Sequence, residues 1–377
     1  MNLQWRAMIE RSMRGLSSGI CGAVLPILGW ACMLVGISAC TPQADGVRMR
    51  ARMDFGQLCM YVDGEIESVR GLEEELELGE YGIYTLTDSV IEIQGQIREL
   101  EFPIEPILDA PNLVELDVTR CPHLVHLGTG TSMFERLDLS KCPELERLEV
   151  SSNALHELDL SACPKLRTLT LWDCRMPKLD LSHAKDMEFV NLMYGSIDSI
   201  DLRGCTHLMT FSMDGCDTKH LAFNQLEWLD SVFIEGDYTE SLEVNGCRRL
   251  RTLTAHHAHL QRAVVKDCPA LQYVDLSGND IESIDLANCP ALRSVRLFLS
   301  NIDEAAMMRV ADALPECPTG QKAEFVPEYT PIDPMRGGTE LVSTLPGVSR
   351  DVWAKATGKG WTVYRDVGGM RLSPITF

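Results

Sequence analysis

Basic residues and aromatic residues are both scarce in this chain of 377 residues. Lys and Arg together number 34 against 55 Asp and Glu, which gives a formal net charge of -21 at pH 7. Because such an acidic chain repels a phosphate backbone, we predict that nucleic acid is not a partner. Only 6% of the residues are aromatic, so the positions at which aromatic residues do occur are informative about contacts.

Sequence signatures of catalysis and of metal binding are also missing. The chain contains no HExxH, no Walker loop and no GxGxxG, and none of its 14 cysteines forms a CxxC pair. Its one GxSxG match, over residues 15–19, falls in an apolar N-terminal run and not between a strand and a helix. We therefore predict that the protein is not an enzyme and that it holds no cofactor and no metal.

The first forty residues have the pattern of an export signal. A basic start precedes an uncharged run over residues 16–40. The run is long enough to cross a membrane, so a retained anchor helix is the alternative. The end of the run, Ile37-Ser38-Ala39-Cys40, resembles the lipobox of bacterial lipoproteins, in which a signal peptide is removed before a cysteine that is acylated. This resemblance implies a signal peptide over residues 1–39 and a lipid anchor at Cys40.

A 21-residue repeat organises the middle of the chain. Seven cysteines recur at intervals of one or two repeat lengths, and the two missing steps fall on Ala184 and Leu226. Each repeat is too short to bury its own apolar face, so we predict nine turns that stack on one another without an insertion. The seven cysteines are Cys121, Cys142, Cys163, Cys205, Cys247, Cys268 and Cys289.

Each turn contains two short segments in which apolar and polar residues alternate. One set has the form LDL, as in residues 137–139 and 158–160, and the other set includes residues 169–171. A period of two residues predicts a strand with one buried face. The sequence therefore predicts a mostly β repeat solenoid with two short strands in each 21-residue turn.

The repeat also resembles a known family. The motif LxxLxVxxNxL over residues 145–155 resembles the leucine-rich-repeat consensus, and residues 271–281 repeat it with Asn279. Together with the LDLSxCPxL segments, it is similar to repeats of surface lipoproteins of Gram-negative anaerobes and of internalins. The resemblance implies a right-handed coil whose concave sheet binds partners. Several turns depart from the consensus asparagine and are expected to be less regular: they carry Cys174, Gly195, Cys216, Asp237, Ala258 and Ser300.

The flanks of the repeats predict two caps. We expect a tether and a small acidic prelude over residues 40–83, the solenoid over residues 84–300, and a C-terminal cap with a helix and a strand over residues 301–377. The helix is predicted over residues 301–314, because its apolar residues lie on one face and Asn301 or Asp303 can cap it.

The two sets of outward positions differ in composition. The LDL set lacks aromatic residues and carries a column of carboxylates, which we interpret as solvated or bonded to their own turns rather than as a calcium site. The cysteine column is interpreted as buried thiols. Exposed aromatic side chains make good interface anchors. The alternative is that flanking loops or the C-terminal segment fold over some of these rings. The candidate partner-binding residues of the other set are Trp172, Phe189, Met193, Tyr194, Phe233, His256, Tyr273 and Phe298.

These expectations combine into one functional prediction. The chain is expected to be an outer-membrane lipoprotein, at the cell surface or on the periplasmic face, that uses a leucine-rich-repeat domain for protein–protein recognition such as adhesion. The sequence does not identify the protein partner. A carbohydrate-binding module with a glycan ligand and a structural envelope protein without an external ligand are the alternatives.

Overall fold

The computed structural model describes residues 44–53, 56–103, 113–152, 154–236, 238–329, 332–333, 339–340, 348–367 and 372–376. The predicted signal peptide, Cys40 and two positions of the asparagine column, Asn153 and Asp237, lie outside these residues. The described residues contain 25 strands and two helices. Neither helix is long and apolar enough to cross a membrane.

An antiparallel cap precedes the repeats. It consists of β1 (Gly46–Ala51), β2 (Gln57–Arg70), β3 (Tyr81–Thr85), β4 (Val90–Phe102) and β5 (Leu113–Arg120). β2 pairs with β3 and β4, and β1 pairs with β4 and β5, all antiparallel. β4 also pairs in parallel with the first repeating strand. The acidic prelude therefore extends the sheet of the solenoid and covers the edge of its first turn.

The repeats form nine parallel strands of one long sheet, and each strand lies one repeat length after the one before. Phe189 lies beside Thr210, and Thr210 lies beside Ser231, so every strand meets the same position of the next turn. This register confirms the predicted period and the predicted mostly β solenoid. The nine strands are β6 (His126–Ser132), β7 (Arg147–Ser152), β8 (Thr168–Trp172), β10 (Phe189–Met193), β12 (Thr210–Asp214), β14 (Ser231–Glu235), β16 (Thr252–His256), β18 (Tyr273–Asp275) and β20 (Ser294–Arg296).

The second strand of each turn forms two smaller parallel sheets, called here the opposite sheets. β9 (Arg175–Asp180) and β11 (Ser196–Asp201) form one of them. The other contains β13 (His220–Asn224), β15 (Ser241–Asn245), β17 (Arg262–Lys266) and β19 (Ser283–Ala287).

Two of the predicted LDL segments form no strand, although the structure describes the residues of both. The leucines of residues 137–139 and 158–160 are buried as predicted, but their backbone forms no strand. The alternation of apolar residues determines burial, whereas a strand also needs a neighbour that accepts its backbone hydrogen bonds. At the start of the array, β5 pairs antiparallel with β1, and its parallel pairing is limited to Leu113 beside Ser132 of β6.

The core lies between the long sheet and the opposite sheets. Inward side chains from both sides are almost entirely buried along the whole array. Phe211 on β12 and Phe223 on β13 illustrate this arrangement, because both are fully buried and their ring centroids lie 4.9 Å apart. Each turn shares this core with its neighbours, as its short length requires.

The C-terminal cap contains both predicted kinds of element. α1 (Glu304–Ala313) begins after Asp303, whose carboxylate accepts a hydrogen bond from the backbone N–H of Ala306 at 2.6 Å. This confirms the predicted helix and identifies Asp303 as its N-cap. The remaining elements are β21 (Glu324–Tyr329), β22 (Ile332–Asp333), β23 (Thr339–Glu340), α2 (Arg350–Gly358), β24 (Thr362–Asp366) and β25 (Leu372–Pro374). β21 pairs in parallel with β20 and β24, so the cap covers the last turn of the long sheet.

Candidate functional site

Outward side chains of the long sheet form three columns, because strands that lie one repeat apart share one register. Phe189 and Tyr273 stand in the first column, at the amino ends of the strands, and Phe233 stands in the centre column. All the candidate side chains are partly exposed, and Tyr194 is 51% exposed. The last column, at or just past the carboxyl ends of the strands, contains Trp172, Met193, His256 and Phe298.

The structure brings only part of this set into contact. Trp172 and Tyr194 form a ring pair with centroids 5.3 Å apart and planes tilted by 55°. Phe298 lies six turns further along, on the order of 29 Å away at about 4.8 Å for each strand. The candidate residues therefore form an extended surface along seven turns, and a ligand that contacts all of them must itself be extended.

Tyr194 reaches past the last column because its backbone is left-handed. Its φ is 54°, and glycines occupy the same position of the next two turns, where Gly215 has a φ of 64° and Gly236 a φ of 68°. The tyrosine ring lies over Gly215, since a Cβ atom added there would lie 2.7 Å from Tyr194 Cδ1. The negative charge of Asp214 raises the pKa of Tyr194. The glycine at 215 thus makes room for the ring.

Three histidines near the end of β16 have different surroundings. The rings of His256 and His257 are 5.8 Å apart, whereas His259 stacks on Tyr238 with centroids 4.8 Å apart and planes within 3°. His259 Nδ1 also lies 3.7 Å from a carboxylate oxygen of Asp280. Among the described residues, no three His, Cys, Asp or Glu side chains are arranged to hold a metal ion. His257 and His259 are exposed and His256 is partly exposed, so the three rings lie at the surface with separate contacts.

Tyr273 is tied into a polar network at the C-terminal end of the sheet. Its hydroxyl donates a hydrogen bond to Asp275 at 2.9 Å, and the guanidinium carbon of Arg296 lies 5.4 Å from its ring centroid. Arg296 in turn donates to a Glu324 carboxylate oxygen at 3.2 Å. Burial and the charge of Asp275 raise the pKa of Tyr273. This ring is therefore less available to a partner than Trp172 or Tyr194.

Carboxylates of the LDL column are bonded to their own turns. Asp138 and Asp159 each accept the backbone N–H of a serine two residues later, at 2.9 Å. The hydrogen bonds from Ser140 and Ser161 lower the pKa of the two carboxylates. The same backbone contact is made by Asp117, Asp180 and Asp201. The interpretation of these groups as turn acceptors is confirmed at five positions.

Several thiols of the cysteine column share one hydrogen-bond geometry with the asparagine column, and they are Cys142, Cys163, Cys205 and Cys247. The thiol of Cys142 donates to the carbonyl of Val118, 24 residues earlier, and Asn279 Nδ2 donates to the carbonyl of Ala255 with the same spacing. Burial raises the pKa of Cys142 to about 12. Two of the side chains that replace asparagine keep this contact, since Cys174 and Ser300 also donate to a carbonyl 24 residues earlier. The expected loss of regularity is therefore wrong for these two turns.

Within the described repeats, two exposed aromatic residues were not among the candidates. Trp228 is 41% exposed, with the Arg249 guanidinium 3.8 Å and the His207 ring 6.1 Å from its ring centroid. Tyr238 is 62% exposed and stacks on His259. Both lie in turns rather than strands, so counting strand positions missed them. Aligning whole 21-residue turns would have revealed residues 207, 228 and 249 as one column.

Comparisons with known proteins give no family assignment. No family model matches the chain, and no curated protein does. The functional domain of the internalin InlJ from Listeria monocytogenes, which includes a cysteine ladder, is a similar solved structure. It has 18% identity and a TM-score of 0.26, and the match covers 59% of this chain and 63% of that one.

Two further solved structures are similar to the chain. The internalin InlF from Listeria monocytogenes has 12% identity, a TM-score of 0.31 and coverage of 72% of this chain and 87% of its own. A leucine-rich-repeat protein from Leptospira interrogans has 14% identity, a TM-score of 0.28 and coverage of 53% and 67%. The fold itself is established by the chain's own 21-residue register, which makes it a solenoid of the leucine-rich-repeat type.

Proposed function

We propose that this chain recognises a protein partner through the outward face of its long sheet. The observation that carries the proposal is the distribution of aromatic residues. Aromatic side chains stand partly exposed in all three columns of the long sheet, whereas the LDL segments on the other side carry carboxylates bonded to their own turns. Exposed aromatic side chains on paired strands favour burial by a partner, and such residues are typical interface anchors.

Replacing Trp172, Phe189 and Phe233 together with alanine tests this face. The three residues sample all three columns within four consecutive turns. We expect the dissociation constant for the partner to rise at least about a hundredfold, because buried aromatic anchors dominate interface free energies. The partner is first isolated on the immobilised chain from envelope fractions and from host-cell membranes, then purified, and its affinity is measured by calorimetry.

A matched triple variant controls for the number of substitutions. Lys178, Glu243 and Arg262 are exposed residues on the opposite sheets, and their replacement with alanine should leave affinity unchanged. Equal affinity of the wild type and a correctly folded aromatic variant would rule out the long sheet as the binding face. Equal losses in both triple variants would show that the effect is not specific to that face.

We further propose that acylated Cys40 anchors the chain to the outer membrane. Support comes from the lipobox-like segment over residues 37–40 after an uncharged run. Cells grown with labelled palmitate should incorporate the label into the wild type and not into Cys40→Ser. Label that persists in the variant would refute lipidation at this residue, and membrane retention without any label would favour the anchor helix.

Adhesion requires the solenoid to face outward. Protease added to intact cells should then remove residues 44–377, while a periplasmic marker protein stays intact. Protection until the outer membrane is permeabilised would refute adhesion and direct the search to envelope partners. A structural envelope protein predicts no partner in either compartment, and a carbohydrate-binding module predicts retention on a glycan array. The proposal assigns no catalytic residue.

A further inference from the structure

A groove lies on the opposite sheets, between their last strands and the C-terminal helix. Helix α1 packs against β19, and the open space beside it measures about 420 Å³, which falls within the range of small-ligand sites. The groove is on the other side of the core from the long sheet, so the protein partner proposed above does not account for it. Its outward lining residues are Arg262, Val264, Ser283, Asp285 and Arg309.

Two arginines of this groove have no counter-charge. Arg262 begins β17 and Arg309 lies in α1, and both side chains are exposed. Neither side chain makes a hydrogen bond, an ion pair or a ring contact with any of the described residues. The carboxylate of Asp285 is already paired with Lys266. Two unpaired cations therefore face one space, and their mutual repulsion favours an anion between them.

The equivalent positions four repeat lengths earlier show which group is missing here. Lys178 occupies the position of Arg262, and its ammonium group donates to the carboxylate of Asp180 at 2.6 Å. Asp180 belongs to the carboxylate column of the LDL segments, and Val264 stands at its position in β17. Valine thus replaces the carboxylate that would neutralise Arg262. The break in the column leaves the guanidinium available to a ligand.

We infer that this groove binds the phosphate group of a phosphate monoester. Its terminal oxygens can accept hydrogen bonds from the guanidinium groups of Arg262 and Arg309 and from the hydroxyl of Ser283. Ser283 stands beside Arg262 in the pairing of β17 with β19, so both donors lie on one side of the groove. A phosphate monoester carries roughly -1.5 to -2 charges at pH 7, which matches two arginines. The organic part of the ligand can rest on Val264.

The surrounding charge limits the ligand to a single phosphate group. Glu243 borders Val264 on β15, and the whole chain has a net charge of -21. Both repel further phosphates beyond the groove, so a polyanion such as nucleic acid does not fit. An uncharged sugar would leave the two arginines without a counter-charge. A small ligand with one phosphate monoester is therefore the class that the groove favours.

The test uses the purified full chain in detergent and in a buffer without phosphate. Titration calorimetry measures the affinity for glucose 6-phosphate, glucose 6-sulfate and glucose. We expect glucose 6-phosphate to bind at least about tenfold more tightly than glucose 6-sulfate, because its charge is larger, and glucose not to bind. Short-chain phosphatidic acid carries the same group on a lipid. Whichever of the two phosphates binds more tightly identifies a sugar or a lipid as the source.

Substitutions in the groove should remove binding and leave the fold intact. Arg262→Gln and Arg309→Gln each delete a charged donor from an exposed side chain, so each should weaken glucose 6-phosphate binding at least about tenfold at an unchanged melting temperature. Val264→Asp restores the missing carboxylate and should weaken binding to a similar extent. Aspartate stands in this column in several other turns, so the fold tolerates it.

Lys178→Gln controls for the position in the repeat, since Lys178 is equivalent to Arg262 but is paired with Asp180. Its affinity for glucose 6-phosphate should equal that of the wild type. The inference is overturned if the wild type binds neither phosphate or binds the sulfate equally well. Unchanged binding by Arg262→Gln, Arg309→Gln or Val264→Asp would also overturn it, as would an equal loss in Lys178→Gln.

Binding of the phosphate does not depend on the protein partner. The aromatic triple variant of the long sheet should bind glucose 6-phosphate as the wild type does, and Arg262→Gln should keep the wild-type affinity for the protein partner. Failure of one proposal is therefore distinguishable from failure of the other.

Discussion

Replacement of Asn279 by alanine is expected to lower the free energy of unfolding by about 3–5 kcal/mol, one of the largest effects of any single substitution in the array. Asn279 is 2% exposed. Its Oδ1 accepts the backbone N–H groups of Ala258 and Leu260 at 2.9 and 3.1 Å, and its Nδ2 donates to the carbonyl of Ala255 at 2.7 Å. Alanine would leave these backbone groups buried without partners, which carries a high desolvation cost.

Urea unfolding followed by circular dichroism measures this loss. Asn301→Ala is the matched control, because the side chain of Asn301 is exposed and donates a hydrogen bond to Asp280 at 2.9 Å. The control should change the free energy of unfolding by no more than about 0.5 kcal/mol. A similar, small change in both variants would show that water or backbone rearrangement satisfies the groups around Asn279.

Replacement of Phe211 by alanine is also expected to lower the free energy of unfolding by about 3–5 kcal/mol, because it removes a large buried ring. Phe211 is fully buried, and its ring meets Phe223 edge-on at 4.9 Å between centroids and 71° between planes. The two rings connect the long sheet to an opposite sheet within one turn. Removing one ring leaves a cavity that flanking turns cannot fill, because their register is set by the backbone ladders.

Phe233→Ala provides the comparison for this prediction. Phe233 stands on the neighbouring strand and points outward, where it is only partly buried. The substitution of Phe233 should lower the free energy of unfolding by about 1 kcal/mol or less, since little buried volume is lost. Equal destabilisation by the two substitutions in a thermal melt would contradict the assignment of inward and outward positions.

The contacts of Asn279 show how far the sequence predicts structure in a repeat protein. The consensus motif identified Asn279 as the asparagine of its repeat, and the five side-chain hydrogen bonds of this residue follow from the stacking of turns. The exchange of asparagine for Cys174 or Ser300 suggested irregular turns, yet those turns are regular. The reason is that a single donor is sufficient for the contact: the thiol of Cys174 and the hydroxyl of Ser300 each donate a hydrogen bond to the carbonyl 24 residues earlier, as the asparagine amide does.

The candidate site was predictable only in part. Alternation identified Trp172 and Phe189 as outward residues, because side chains of a strand point to alternate faces. It did not predict that Trp172 touches Tyr194, since that contact depends on the left-handed backbone of Tyr194 and on Gly215 in the next turn. It also missed Tyr238, because a turn residue has no fixed alternation.

The sequence by itself determined the period, the register and the inward or outward direction of each strand residue. These properties are local and recur in every turn of the array, so a single turn specifies all the others. Only the tertiary structure decided where the prelude lies, as strands β1 to β3, which extend the antiparallel sheet of β4 at the edge of the first turn. It also decided that residues 137–139 and 158–160 form no strand and that Arg262 and Arg309 line one groove. Each of these features depends on a neighbour distant in sequence or on a turn dihedral angle, and neither is encoded in the period.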